Sequence, residues 1–220
     1  MTQYTYGMNG NVKTVTYPSG RVITYNYTNN SVTGVLNNGS TLASNIGYLP
    51  FGGMTSLSFG NGLARTIGYD NQYRISTIQA GSLQSLSYGH DPNGNVTSMV
   101  NNLDNTKSKS YTYDDLNRLE TGAGPWGTIT WTYDPVGNRL TEVDSSGTSN
   151  YAYQTGSNRL SNITGPNPAS FGYDENGNTT TENAKAYSYN QNQRLIRATA
   201  GQVGDYVYNA LGQRVKKTVG

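Results

Sequence analysis

The sequence predicts an all-β fold of tandem antiparallel hairpins, and three observations predict it. An aromatic-x-Tyr motif recurs along the whole 220 residues. Turn-forming Gly, Asn and Asp residues follow almost every copy. No apolar i, i+3, i+4, i+7 stripe replaces the two-residue alternation, and the best helical candidate, residues 183–185, is too short to be one.

The strong copies are Tyr4-Thr5-Tyr6, Tyr25-Asn26-Tyr27, Ile67-Gly68-Tyr69, Tyr88-Gly89-His90, Tyr111-Thr112-Tyr113, Trp131-Thr132-Tyr133, Tyr151-Ala152-Tyr153, Phe171-Gly172-Tyr173, Tyr187-Ser188-Tyr189 and Tyr206-Val207-Tyr208. A weaker copy is Ile46-Gly47-Tyr48. Successive third positions are separated by 21, 21, 21, 21, 23, 20, 20, 20, 16 and 19 residues. Eleven copies at a step of about 20 define a repeat protein.

Each element of the unit has a local cause. Aromatic-x-Tyr alternates with period two, which puts both rings on one face of a strand. Asp or Asn enters the turn, where it bonds backbone amides, as at Asp70, Asp91, Asp114, Asp134 and Asp174. Asn-Gly pairs such as Asn9-Gly10 and Asn93-Gly94 tolerate positive φ and predict tight primed turns. Arg or Asn and an apolar residue then open the second strand, as in Arg74-Ile75, Arg118-Leu119 and Arg194-Leu195. A second kind of turn, Tyr17-Pro18-Ser19-Gly20 or Phe59-Gly60-Asn61-Gly62, leads to the next hairpin. One hairpin cannot bury its apolar face, whereas many in series share it, with stability a sum over neighbours. No linker or charge block interrupts the pattern, so residues 1–220 read as one array of about eleven hairpins.

Composition excludes several functions. There is no Cys, hence no disulfide framework and no thiolate site, and the lone His90 cannot build a His-rich metal centre. A net charge of +2 gives no electrostatic footprint for nucleic acid. No apolar run reaches the roughly 18 residues of a membrane span, and the first residues carry no signal-peptide pattern. Leu, Ile, Val and Phe make up 38 residues, a share that warns of disorder only when net charge is high. Adding 19 Tyr restores enough apolar surface for a core built on tyrosine.

Candidate sites read as structural. His90 takes a slot otherwise held by repeat Tyr, where a flat ring fills the same space. Gly122-Ala123-Gly124-Pro125-Trp126-Gly127 matches a dinucleotide fingerprint, but a strand pattern follows it instead of a helix, so it is a turn. The acids recur once per unit, as turn formers do, and no calcium loop is present. The arginines can pair with neighbouring acids, stack on rings or blunt the sheet face. Rows of tyrosine leave sugar stacking open as an alternative to a packed sheet face. A binding module would expose one aromatic patch, whereas a wall would bury its rings uniformly.

The pattern Y-x-Y-D-x-x-G-[RN]-apolar closely resembles the YD repeat of bacterial Rhs proteins, toxin-complex B/C components and teneurins. Its clearest copies are residues 111–119 and 131–140, and the resemblance covers essentially the whole chain. The residues that carry it include Tyr69, Asp70, Tyr113, Asp114, Arg118, Tyr133, Asp134, Gly137, Arg139, Tyr153 and Arg159. They continue through Tyr173, Asp174, Gly177, Tyr189, Arg194, Tyr208, Gly212 and Arg214.

The resemblance implies a continuous curved or spiralling sheet that walls a hollow shell around a C-terminal toxin, or closes as a barrel in teneurins. It implies no catalytic residues in the repeats and no cofactor. The Asp-Pro-x-Gly-Leu autoprotease segment of some members is absent, since Asp91-Pro92 and Asp134-Pro135 lack the Gly-Leu. The chain is shorter than complete shells, so a fragment or short form is expected, secreted or at the cell surface. Expected partners are further repeats, a cap or toxin domain, or copies joined through sheet edges. An adhesive or glycan-binding module, or a self-assembling filament, is the alternative.

Overall fold

The computed structural model describes residues 1–220. It contains 22 strands, from Gln3–Tyr6 to Arg214–Val219, and a single 3-10 turn at Asn105–Lys107. The all-β expectation holds. The 3-10 turn lies in the longest motif step, between His90 and Tyr113, where the Asp104 side chain accepts from the Thr106 amide at 3.1 Å.

The chain falls into two compact units, Met1–Arg118 with Ala123–Trp126, and Leu119–Gly122 with Gly127–Gly220. In the first unit each strand from Gln3–Tyr6 to Lys109–Tyr113 pairs antiparallel with its neighbours in sequence. The second unit repeats this meander from Gly127–Tyr133 to Arg214–Val219. Sequential neighbours paired by short turns keep the contacts local, which suits a repeat.

The motif turns differ from the primed turns expected of Asn-Gly. In the turn at Asp91 the Asp91 amide donates to the Asn95 carbonyl at 3.0 Å and the Gly94 amide to the Asp91 carbonyl at 3.1 Å. Gly94 has φ 94°, while Asn93 stays outside the left-handed region. This is a three-residue loop with one left-handed position. The Asp91 carboxylate supports this loop, its Oδ1 accepting from the Asn95 amide at 2.9 Å. Tyr17–Gly20 and Phe59–Gly62 close the same way, so the two kinds of turn share one geometry. Primed turns do occur, at Asn29-Asn30 (φ 49° and 63°) and Asn38-Gly39 (φ 48° and 83°).

A bulge follows the turn in ten of the hairpins. Tyr69 pairs with Ile75 and Gly68 with Thr77, which leaves Ser76 without a partner in the ladder. Equivalent shifts fall at Tyr6, Tyr27, Tyr48, His90, Tyr133, Tyr153, Tyr173, Tyr189 and Tyr208. A bulge bends its strand and increases local twist, so each hairpin bends at the same place relative to its tyrosine.

The core is thin. Val15, Ile23 and Ala80 are the only buried apolar side chains, and Val15 pairs directly with Ile23 across two strands. Accessible surface totals 14096 Å², against about 9,900 Å² for a compact protein of this mass. The aromatic rows are half-buried, since the sheet carries no second layer to cover them.

Candidate functional site

The repeated chemistry sits at two places in each hairpin: the turn, and the seam with the hairpin before it. At the turn, Asp70 Oδ1 accepts from the amides of Gln72 (2.8 Å) and Arg74 (2.9 Å), and Oδ2 accepts from Arg74 Nε at 2.7 Å. Asp114 does the same with Leu116 and Arg118. Asp134 and Asp174 use the carboxamides of Asn138 and Asn178 in place of guanidinium, each at 2.8 Å. Asp114 is held below its ordinary 3.8 first by the Arg118 amide, and Asp174 first by the Asn178 carboxamide, with partial desolvation opposing both. These carboxylates stay ionised with their lone pairs engaged in the turn, which leaves no paired-acid cleft. Gly137, Gly177 and Gly212 hold the left-handed position at φ 94°, 87° and 82°.

At the seam, the third-position tyrosine reaches back. Its hydroxyl donates to a carbonyl at the first or second residue of the second strand of the preceding hairpin. Tyr27 donates to Val12, Tyr48 to Val32, Tyr69 to Met54 and Tyr113 to Val96, all at 2.8–2.9 Å. Tyr133 donates to Leu119, Tyr153 to Arg139, Tyr173 to Leu160 and Tyr208 to Leu195 within the same range. The slots at Tyr6, His90 and Tyr189 do not make this bond. A half-buried ring thereby satisfies its polar tip and ties two hairpins together.

The arginines divide by position. Arg74 and Arg118 grip the Asp of their own turns. Arg139 pairs with Glu142 at 2.7 Å and lies over the Tyr151 ring at 4.2 Å from its centroid. Glu142 also accepts from Trp131 Nε1 at 2.8 Å. Arg159 and Arg194 lie over Tyr173 and Tyr208 of the next hairpins at 5.9 Å, and Arg214 over Tyr206 at 5.7 Å. Of the tyrosines, Tyr4, Tyr6, Tyr17 and Tyr73 are exposed and the other fifteen are half-buried. Three of the exposed rings fall within the first 17 residues, and from Tyr25 onward every tyrosine but Tyr73 is half-buried.

Sequence reasoning missed three features: the tyrosine-to-carbonyl bond, the bulge, and the role of Glu142 and Glu182, the latter bonded to Tyr187 at 3.0 Å and Lys185 at 2.6 Å. One signal for the first was available. First positions admit Ile67, Trp131 and Phe171, whereas third positions are always Tyr except His90. A hydroxyl at one position and any large apolar group at the other indicates a bond at the first.

Hairpins of about 20 residues, locked by a turn carboxylate and a backward-reaching tyrosine, define a YD-repeat protein. The teneurin YD-shell family model matches residues 61–220, and the chain belongs to that family. Its fold is similar to part of a Photorhabdus luminescens Tc holotoxin pore, with TM-score 0.81 at 21% identity over 98% of this chain. It is similarly close to part of the TcdB2-TccC3-Cdc42 crystal structure, with TM-score 0.78 at 20% identity over 99% of this chain. A crystal structure of TcdB2-TccC3 without its hypervariable C-terminal region matches at TM-score 0.65 and 18% identity, over 99% of this chain. The chain spans 13% of the first two of these and 15% of the third. No curated protein matches it.

Proposed function

We propose that this chain is a length of non-catalytic shell wall, working as part of a larger container that encloses a toxin or effector polypeptide for delivery outside the producing cell. The observation that carries this reading is the seam. One tyrosine-to-carbonyl bond, repeated eight times, joins eight of the hairpins to the one before. Such bonding extends a sheet without building an enclosed reaction site. The motif residues from Tyr69 to Arg214 then serve as joints of the wall, and the half-buried aromatic face is the surface that the rest of a shell would meet. The likeness to Tc toxin structures supports the same reading at the level of fold.

The test is electron microscopy of the native polypeptide that carries these residues, with protease protection measured in parallel. The expected result is a wall of hairpins around an enclosed segment that resists protease until the wall is opened. Hairpins with no enclosed segment, together with micromolar glycan binding through Tyr4, Tyr6, Tyr17 or Tyr73, would replace the wall with an adhesive module.

A further inference from the structure

Within each compact unit, consecutive motif turns touch in two ways. From Arg74 to Arg194 the residue whose carbonyl closes each motif turn alternates between Arg and Asn: Arg74, Asn95, Arg118, Asn138, Arg159, Asn178, Arg194, with Gln213 ending the series. The following turn offers Gly94, Asn117, Gly137, Asn158, Gly177, Gln193 and Gly212 in the same order. Arg is always followed by Gly, and Asn by an amide side chain.

The geometry explains the pairing. Asn95 Nδ2 has two N–H groups: one bonds Asp91 of its own turn at 2.8 Å, the other bonds Asn117 Oδ1 of the next turn at 2.7 Å. Asn138 divides its donors between Asp134 (2.8 Å) and Asn158 (3.0 Å). Asn178 divides its own between Asp174 and Gln193. A short carboxamide leaves a gap that only a second amide spans. Arginine fills that gap itself. Arg74 keeps Nε on Asp70 and sends Nη1 to the Asp91 carbonyl of the next turn at 2.9 Å. A Cβ at Gly177 would stand 3.0 Å from Arg159 Nη2, and a Cβ at Gly212 would strike the Arg194 guanidinium. Asn95, Asn138, Asn178 and Arg74 thereby have partners for their donors in both turns. A Cβ at Gly94 would lie 3.9 Å from Arg74 Nη1 and one at Gly137 would meet nothing, so the steric side of the pairing is exerted at Gly177 and Gly212, where a side chain would crowd the guanidinium.

We propose that these two residue pairs form a complementary code at the turns, Arg with Gly and Asn with amide, that determines which hairpin can follow which. The residues act as positioning groups that set the order of hairpins in the strip.

Two double-mutant cycles on the full 220-residue chain test it, read by urea unfolding. In the first, Gly177→Asn lowers the folding equilibrium constant at least tenfold and Arg159→Asn lowers it several-fold. Arg159→Asn with Gly177→Asn recovers at least fivefold relative to the product of the singles, as contacting residues do. The reciprocal cycle, Asn178→Arg with Gln193→Gly, recovers in the same way. If a single variant fails to fold, its double must fold. Losses that multiply independently in both cycles, or doubles no better folded than their singles, overturn the code.

Discussion

The Tyr113 hydroxyl donates to the Val96 carbonyl, 17 residues earlier in the chain, at 2.9 Å and so joins its hairpin to the preceding one. Neither residue is on the other's hairpin, so this bond reports inter-repeat adhesion separately from the ladder within a repeat.

Tyr113→Phe keeps the ring and removes the bond. It is expected to destabilise the chain by about 1 kcal/mol, the usual net value of such a hydrogen bond. The Val96 amide region should exchange hydrogen faster while amides of distant hairpins do not. Uniform faster exchange throughout the chain would show that the seams do not open one at a time.

His90 stands where Tyr would donate to the carbonyl of Ile75, the residue paired with Tyr69. His90→Tyr is expected to add the missing bond and raise stability by about 1 kcal/mol. A lower urea midpoint would mean that the slot has been reshaped around imidazole.

Acid should loosen the turns. Asp91 is held below its ordinary 3.8, first by the Asn95 carboxamide, and backbone N–H groups of Asn95, Asn93 and Gly94 add to this while partial desolvation opposes it. Asp114 and Asp174 shift the same way. A folded value below the unfolded one means that the unfolded chain binds more protons in that window. The stabilisation is therefore present above 3.8 and disappears as pH falls through the lower folded-state values. The urea midpoint should be flat from neutral pH to about 5 and fall below it. Asp91→Asn should shrink that fall, and an unchanged profile would exclude Asp91 as a contributor.

Ile23 is 6% exposed and Phe51 is 86% exposed. Ile23→Ala is expected to cost about 2–4 kcal/mol, with the transfer and cavity costs of a core truncation. Phe51→Ala should stay within about 0.5 kcal/mol, as surface changes do. Similar losses at both positions would mean that the edge contact of Phe51 with Tyr73, ring centroids 6.3 Å apart, holds the turn more firmly than a surface side chain usually does.

The hairpin repeat was legible in the sequence since strand alternation and turn chemistry are local: Tyr111-Thr112-Tyr113 followed by Asp114 carries both within four residues. The turn class was misread at Asn93-Gly94: the loop is one residue longer there, as it is at Asn9-Gly10 where no acid precedes it, so the Asn-Gly pair alone does not set loop length. The bulge at Ser76 left no residue-type signal, because its counterparts include Lys13, Thr97, Leu140 and Val215. The tyrosine bond spans 13–17 residues to a backbone carbonyl, and a carbonyl is present whatever the side chain, so the acceptor was invisible and only the donor's constancy betrayed it.

The alternation of Arg and Asn at successive turns gives the strip a parity. Deleting one hairpin after Arg74 would bring Asn117 beneath an arginine, or Gly137 opposite an asparagine, and every such cut leaves one mismatched joint. Deleting two restores the match. Under the proposed code, loss or gain of repeats between Arg74 and Arg194 keeps its joints matched only in even numbers, and the smallest exchangeable piece is a pair of hairpins about 40 residues long.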